Sequence, residues 1–136
     1  MADLRHPRGL IDTSVVIDLE LIEPAALPAE IAVSAITMAE LAAGPHATAD
    51  ASERARRQDR LQRAEATFEP LPVDAAVARA YGRVYAAVGA AGRKARGRRA
   101  VDLLIAATAV AAGLPLYTRN PDDFAGLSEM LELVAV

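Results

Sequence analysis

Short apolar segments alternate along this chain with longer segments of helical periodicity. The apolar segments cover residues 9–12, 31–36, 114–118 and 133–136, with a shorter one around Leu71, and each predicts a strand. From Val77 to Val88, apolar residues recur at the three- and four-residue spacing of an amphipathic helix. Alternation of strands with helices predicts βαβ units, right-handed crossovers and a central parallel sheet.

Helices are predicted between and after these strands, at residues 13–21, 37–43, 52–68, 102–112 and 121–131, and after a capping Asp74. Residues 102–112 are apolar almost all round, as in a buried helix, and Gly113 ends that segment. With 136 residues, of which 53% are hydrophobic, the chain is expected to form one α/β domain spanning residues 1–136.

Composition excludes several classes of protein. The absence of cysteine rules out disulfides, thiolate catalysis and cysteine-based zinc sites. The N-terminal segment lacks the apolar core of a signal peptide, and the apolar run over residues 101–114 is shorter than the roughly 20 residues that span a bilayer. We therefore expect a soluble, cytoplasmic protein that does not interact with a membrane.

The net charge is −3, but cations are concentrated in two places. One group alternates with acids in residues 53–65, which is typical of a solvated helix face with ion pairs four residues apart. The other has no acids to pair with and precedes Asp102; it comprises Arg93, Lys94, Arg96, Arg98 and Arg99. This cationic stretch favours an anionic partner, although a flexible basic loop would have the same composition.

Four acidic residues occur where a strand should end or a helix should begin: Asp12, Glu40, Asp102 and Asp123. Helix capping offers an ordinary explanation for three of them, as an N-cap at Asp12, a Thr37–Glu40 capping box, and a first-turn acid at Asp123. Asp102 fits this explanation least well. It opens the most apolar segment of the chain, where an uncompensated carboxylate costs several kcal/mol.

Considered together, the four acids predict a different arrangement. Helices that follow parallel strands begin at the same edge of the sheet, so the acids are expected to converge there. Carboxylates without nearby His or Cys favour Mg²⁺ or Mn²⁺. Two such ions about 3.5–4 Å apart support phosphodiester cleavage. Short polar residues suited to supporting such a site or its substrate are Thr13, Ser14, Thr37, Thr118 and Asn120, and Arg119 could bind a phosphate or form a surface ion pair.

Four motifs in this chain resemble the PIN-domain family and, within it, the VapC toxins of bacterial VapBC toxin–antitoxin pairs. They are LIDTSVVI around Asp12, SAITMAELAAG around Glu40, DLLIAATAVAAG from Asp102, and LYTRNPDDF through Asp123. The motifs occur in the family's order and cover most of the chain. The resemblance implies a three-layer α/β/α domain with a central parallel sheet.

The resemblance also implies a Mg²⁺- or Mn²⁺-dependent endoribonuclease in which Asp12, Glu40, Asp102 and Asp123 bind metal and act in catalysis. VapC-like toxins typically cut structured RNA such as tRNA or ribosomal RNA by metal-activated water and so arrest translation. A homodimer and a hetero-oligomer with a VapB-like antitoxin are the implied assemblies. Asp122 is adjacent to Asp123 and could also reach metal, but the family's acid immediately before Phe favours Asp123.

Other functions remain open at this stage. The chain could be an aspartyl-phosphate enzyme, although Asp12-Thr13-Ser14 lacks a second acid two positions on. It could be a non-catalytic interaction module whose acids are helix caps, or a PIN-like nuclease acting on another nucleic acid. If RNA is the substrate, Arg96, Arg98 and Arg99 are the residues we expect to hold its backbone.

Overall fold

A computed structural model describes residues 6–92 and 97–136. The predicted backbone-binding role of Arg96 falls on a residue outside these ranges, as do Arg93 and Lys94. Arg98 and Arg99 are within them.

The strands form one parallel sheet, which confirms the predicted α/β class. They are β1 (Arg8–Ile11), β2 (Glu30–Ala32), β3 (Leu116–Thr118) and β4 (Leu133–Ala135), in the spatial order β2-β1-β3-β4. All three pairings are parallel. β1 therefore lies between β2 and β3, so it is paired along both sides.

Helices cover both faces of the sheet, as the three-layer α/β/α arrangement requires. Their bounds are α1 (Thr13–Ile17), α2 (Ala35–Ala43), α3 (Ala51–Thr67), α4 (Ala75–Ala90) and α5 (Arg98–Ala112). Successive strand residues point to opposite faces. Leu10 and Leu116 pack with α4 and α5, whereas Ile11 and Tyr117 pack with α1, α2 and α3.

Several predicted bounds are wrong, and polar bonding explains one of the differences. The strand predicted for residues 31–36 ends at Ala32, because Ser34 is the N-cap of α2 and its hydroxyl accepts a hydrogen bond from the Ile36 N–H. The strand predicted around Leu71 is a single bridge to Ser34. The first helix ends at Ile17, and residues 19–21 form a separate 3₁₀ turn.

The last predicted helix, residues 121–131, is also wrong. Only Pro121–Phe124 is helical, as a 3₁₀ turn. Gly126 adopts φ 96°, a left-handed conformation that ends right-handed helix propagation. In contrast, α5 begins at Arg98 and is longer than predicted. The chain after the 3₁₀ turn returns through turns to β4, which confirms the final strand.

The polar helix α3 confirms the prediction of a solvated, ion-paired face. Arg57 lies 3.1 Å from Glu53, and Arg63 lies 3.2 Å from Asp59, both four residues apart. Exposed pairs of this kind contribute little to stability because water and salt screen them. Across the described ranges, none of the helices combines the length and the apolar character needed to cross a membrane.

Gly9 in β1 is expected to tolerate no side chain. A Cβ there would lie 2.6 Å from Tyr117 Cε1 and 3.1 Å from Pro28 Cγ. Gly9→Ala should therefore lower the free energy of unfolding in urea by about 1–3 kcal/mol. Gly82→Ala is the matched control, because a Cβ at that exposed position in α4 meets no neighbouring atom. It should stabilise the protein by about 0.5–1 kcal/mol. Equal effects of the two substitutions would contradict a steric conflict at Gly9.

Candidate active site

The four acids lie on elements that meet at the carboxyl end of the sheet. Asp12 directly follows β1, and Asp123 lies in the 3₁₀ turn that follows β3. Glu40 is in α2, the helix after β2, and Asp102 is in the second turn of α5. Sites in open parallel sheets form at this edge, so topology places the predicted residues where a ligand would bind.

Asp12 both caps a helix and belongs to the acidic site. Its carboxylate is buried, and its Oδ1 accepts hydrogen bonds from the Val15 N–H at 3.1 Å and the Ser14 hydroxyl at 2.5 Å. The predicted cap is therefore confirmed. Because both bonds use Oδ1, capping does not engage Oδ2. The Ser14 hydroxyl also accepts a bond from the Arg119 N–H at 3.1 Å, which connects Asp12 to the segment after β3.

Glu40 is held by Thr13. The alternative of a Thr37–Glu40 capping box is wrong, because Ser34 caps α2 and Thr37 is fully buried inside the helix. Instead, the Thr13 hydroxyl donates to Glu40 Oε1 at 2.6 Å, and its oxygen lies 3.0 Å from Thr37 Oγ1. This contact fixes one carboxylate oxygen of Glu40 and connects α1 to α2. Thr13 therefore orients one of the four predicted acids.

Asp102 shows that the acids share one electrostatic environment. The pKa of its carboxyl is raised from 3.8 to about 6. Burial is the largest cause, the negative charges of Asp123, Glu40 and Asp12 also raise the pKa, and the positive charge of Arg98 lowers it. Asp102 is not an N-cap, because Gly97 occupies that position of α5. Helix capping therefore does not account for this half-buried carboxylate.

The turn that carries the fourth acid is shaped by backbone contacts. Asp123 is half-buried and Asp122 is exposed, and only Asp123 is among the acids that raise the pKa of Asp102. The buried Thr118 hydroxyl accepts a hydrogen bond from the Asn120 N–H at 3.0 Å, so Thr118 supports the start of the turn. The Asn120 side chain makes no capping bond there.

Within residues 6–92 and 97–136, three arginines near these acids have different surroundings. Arg119 Nε lies 3.5 Å from Asp18 Oδ2, so the ion-pair alternative is the one observed for this residue. The sequence offered no signal for Asp18 as its partner. Arg98 is exposed, whereas Arg99 is half-buried and donates from Nη1 to the Asp123 carbonyl at 3.2 Å.

The donor set suits a hard divalent cation. Carboxylate oxygens bind Mg²⁺ and Mn²⁺, and a cation would offset the repulsion that raises the pKa of Asp102. Over residues 6–92 and 97–136, no three acidic, imidazole or thiol groups are clustered to hold one ion together. Mg²⁺ is commonly held by one or two carboxylates and retains several waters, so these residues fit such an ion with water completing its coordination.

Comparison with known proteins agrees with this fold. Residues 9–129 match the PIN domain family. This chain belongs to the PIN domain family. It is 38% identical over 122 residues to Ribonuclease VapC5 of Mycobacterium tuberculosis, covering 88% of this chain and 87% of that protein. It is 41% identical over 102 residues to Ribonuclease VapC8 of the same species, covering 74% of this chain and 89% of that protein.

Solved structures place this PIN domain in the VapC branch of the family. The crystal structure of VapBC-5, a toxin–antitoxin system of Mycobacterium tuberculosis, matches with a TM-score of 0.81 and 36% identity, covering 96% of this chain and 99% of that one. VapBC2 of Rickettsia felis, bound to a promoter DNA fragment, matches with a TM-score of 0.73 over 95% and 98% of the two chains. At 22% identity, that second likeness shows the fold alone.

The acidic site of this PIN domain is expected to reduce stability in the absence of metal. The pKa of Asp102 in the folded protein, about 6, exceeds its ordinary value of 3.8. The native state therefore binds the proton more tightly, and stability falls as pH rises from about 4 to about 6. In EDTA at pH 8, Asp102→Asn should stabilise the protein by on the order of 1–2 kcal/mol after allowance for partial exposure, or about 3–6 °C in Tm.

Thermal unfolding followed by circular dichroism would measure this effect. At pH 4 the difference in Tm between Asp102→Asn and the wild type should shrink, because the wild-type carboxyl is then largely protonated. Asp59→Asn on α3 is the control, because Asp59 belongs to a surface ion pair. A lower Tm for Asp102→Asn at pH 8 would show that the charge of Asp102 stabilises the metal-free fold.

Proposed function

We propose that this PIN domain is a metal-dependent endoribonuclease and the toxin of a type II toxin–antitoxin pair. It would cleave structured RNA, such as tRNA or ribosomal RNA, and so inhibit translation. The observation that carries the proposal is that Asp12, Glu40 and Asp123, on elements near the carboxyl end of the sheet, all act electrostatically on the half-buried carboxyl of Asp102. Relatives at 38% and 41% identity that are named ribonucleases support RNA as the substrate.

The acids would hold Mg²⁺ or Mn²⁺, and the hydroxyls beside them would orient the acids. A bound divalent ion supplies activation of water and stabilisation of the leaving oxygen in phosphodiester cleavage. The hydroxyls of Thr13 and Ser14 donate hydrogen bonds to Glu40 and Asp12, respectively. These two hydroxyls therefore position carboxylates rather than attack phosphorus. Asp102, partly protonated near pH 6 without metal, would lose its proton as the ion binds.

The alternatives have less support. Capping explains Asp12 but not Glu40 or Asp102. An interaction module whose acids are only helix caps therefore leaves Glu40 and Asp102 unexplained. An aspartyl nucleophile at Asp12 is disfavoured because the carboxylate is buried and one of its oxygens already accepts two hydrogen bonds. A PIN-like nuclease acting on another nucleic acid would use the same acids, so the substrate must be tested directly.

Arg98 is the described residue best placed to hold the RNA backbone. It is exposed in the first turn of α5, one helical turn before Asp102. A phosphate bound there would lie beside the acidic site, where the scissile bond must come. Arginine can donate two hydrogen bonds to one phosphate, and exposure leaves its guanidinium accessible.

A VapB-like antitoxin is the partner that we infer, because several solved structures with this fold are toxin–antitoxin complexes. A cleft of about 430 Å³ between α1 and α3 is a suitable docking site. Its apolar lining includes Val16, Ile17 and Phe68, and its charged lining comprises Arg56, Arg60 and Arg63 together with Glu20 and Asp59. We therefore expect an amphipathic antitoxin segment whose apolar side chains enter the cleft. Homodimerisation and hetero-oligomers with the antitoxin remain predictions.

The nuclease proposal predicts discrete cleavage of bacterial RNA that requires both Mg²⁺ or Mn²⁺ and the acids. Asp102→Asn and Asp123→Asn should each lower the cleavage rate by at least about 100-fold, because each removes a charged oxygen ligand. Asp122→Asn is the matched control and should stay within about threefold of the wild type. End-labelled tRNA and ribosomal RNA, incubated with and without EDTA, would provide the measurement.

Two results would contradict this assignment. Cleavage that survives EDTA or Asp102→Asn would mean that another site is responsible. Cleavage of single-stranded DNA at the rate seen with RNA would favour the alternative of a nuclease for another nucleic acid.

The docking cleft predicts a specific loss of antitoxin affinity. Ile17 lines the cleft with its side chain 45% exposed, so Ile17→Asp should weaken binding of the antitoxin by at least about 10-fold without unfolding the protein. Val73→Asp is the control, because Val73 is equally exposed but lies outside the cleft. The protein encoded by a small open reading frame beside the gene would be titrated by calorimetry. Equal losses for both variants would contradict docking in the cleft.

A further inference from the structure

Two adjacent arginines begin α5, and their surroundings differ. Arg98 is exposed, whereas Arg99 is half-buried. Arg99 Nη1 donates to the backbone carbonyl of Asp123 at 3.2 Å, across 24 residues of sequence. Arg99 therefore connects the start of the helix that carries Asp102 to the turn that carries Asp123.

The start of α5 does not itself favour these cations. The N-terminus of a helix carries partial positive charge, so arginine there is locally unfavourable. Gly97 supplies no side-chain cap, and no acid lies in the first turn. Helix formation therefore does not explain an arginine at position 99. Its hydrogen bond to the Asp123 carbonyl does.

Several contacts among the described residues hold the turn that carries Asp123, and the Thr118 hydroxyl accepts the Asn120 N–H at its start. It is a four-residue 3₁₀ turn whose Asn120 side chain does not cap it. The Asp123 N–H bonds to the Asn120 carbonyl at 3.0 Å, and the buried Phe124 anchors the turn in the core. Phe124 fixes the end of the turn, and Arg99 holds the backbone of Asp123 itself. Short 3₁₀ turns have weaker hydrogen-bond geometry than α-helices, so an additional restraint has a large effect on position.

We propose that Arg99 is a positioning residue that holds the Asp123 turn against α5 and so sets the separation of the Asp102 and Asp123 carboxylates for ion binding. This inference rests on the proposed function. The proposal gives different roles to two arginines that composition alone groups together. Arg98 is exposed and can bind a phosphate, whereas Arg99 bonds to the protein backbone. Donation to a carbonyl uses part of the Arg99 guanidinium, and its burial limits access by RNA.

The two roles predict effects of opposite sign on metal affinity. If both arginines acted only through charge, removal of either would relieve repulsion of the ion and leave Mn²⁺ affinity unchanged or higher. If Arg99 positions Asp123, its removal disperses the carboxylates, and Mn²⁺ affinity falls despite the lost positive charge. Loss of groups that orient metal ligands typically costs about 10–100-fold in affinity.

Calorimetric titration with Mn²⁺ at pH 7.5 would test this difference on the purified full chain. Arg99→Ala should weaken Mn²⁺ binding by about 10-fold. Arg99→Lys, which keeps the charge and one donor, should recover part of that loss. Arg98→Ala is the matched control, with unchanged or slightly tighter Mn²⁺ binding but a salt dependence of RNA binding whose slope is lower by about 1.

A second measurement does not depend on metal or activity. Amide hydrogen exchange in EDTA should be faster at Asp123 and Ala125 in Arg99→Ala than in the wild type or Arg98→Ala, because both amides donate bonds within the turn.

A double variant tests the same role through metal affinity. In an Asp123→Asn background, Arg99→Ala should cause little further loss of Mn²⁺ affinity, because the carboxylate that it positions is already gone.

The outcomes separate this proposal from the proposed function. Wild-type protein that binds no Mn²⁺ and cleaves no RNA would overturn the proposed function. Wild-type binding that Arg99→Ala leaves unchanged or strengthens would overturn the role of Arg99 alone. Unchanged exchange at Asp123 and Ala125 would also overturn it. If Arg99→Ala does not fold, Arg99→Gln, which is shorter and uncharged but keeps an N–H donor group, tests the same difference in metal affinity.

Discussion

Parallel pairing of β1 with strands on both of its sides is the constraint on which this structure depends. β1 pairs with β2 and with β3, so the carboxyl ends of these strands meet at one edge. Asp12 directly follows this strand, and its N–H bonds to the Tyr117 carbonyl of β3. The strand's residues Leu10 and Ile11 enter the two opposite cores. One four-residue strand thus joins both layers of helices and directs the first acid into the site.

The charge of Asp102 lowers the stability of the folded protein. Burial and neighbouring acids raise the pKa of Asp102, which means that its charge is unfavourable where it stands. The protein restrains the surrounding acids with neutral donors. Ser14 and the Val15 N–H hold Asp12, and Thr13 holds Glu40. Neutral hydroxyls orient these carboxylates without neutralising them, so the negative charge remains available for the cation of the proposed function.

Arg98 and Arg99 show how neighbouring residues of one type acquire different roles. They are consecutive in the first turn of α5, so their side chains project about 100° apart around the helix axis. One side chain meets solvent, and the other meets the backbone of Asp123. Composition predicts an anionic partner for both. The two arginines differ in their contacts because their side chains leave the helix in different directions and only Arg99 meets the 3₁₀ turn after β3.

The sequence by itself determined the class of fold and the order of its strands along the chain, and it predicted the four acids of the proposed site, because hydrophobic periodicity, strand ends and short motifs are local properties of the chain. It also indicated Asp12 as a helix cap, since capping involves residues three apart. Tertiary structure decided that Ser34 rather than Thr37 caps α2, that α5 starts at Arg98, and that the last helix is a single 3₁₀ turn. It also decided which hydroxyl holds which acid. These outcomes depend on contacts such as Thr13 to Glu40 and Arg99 to Asp123, between residues separated by 27 and 24 positions, which packing of the layers brings together and no local pattern encodes.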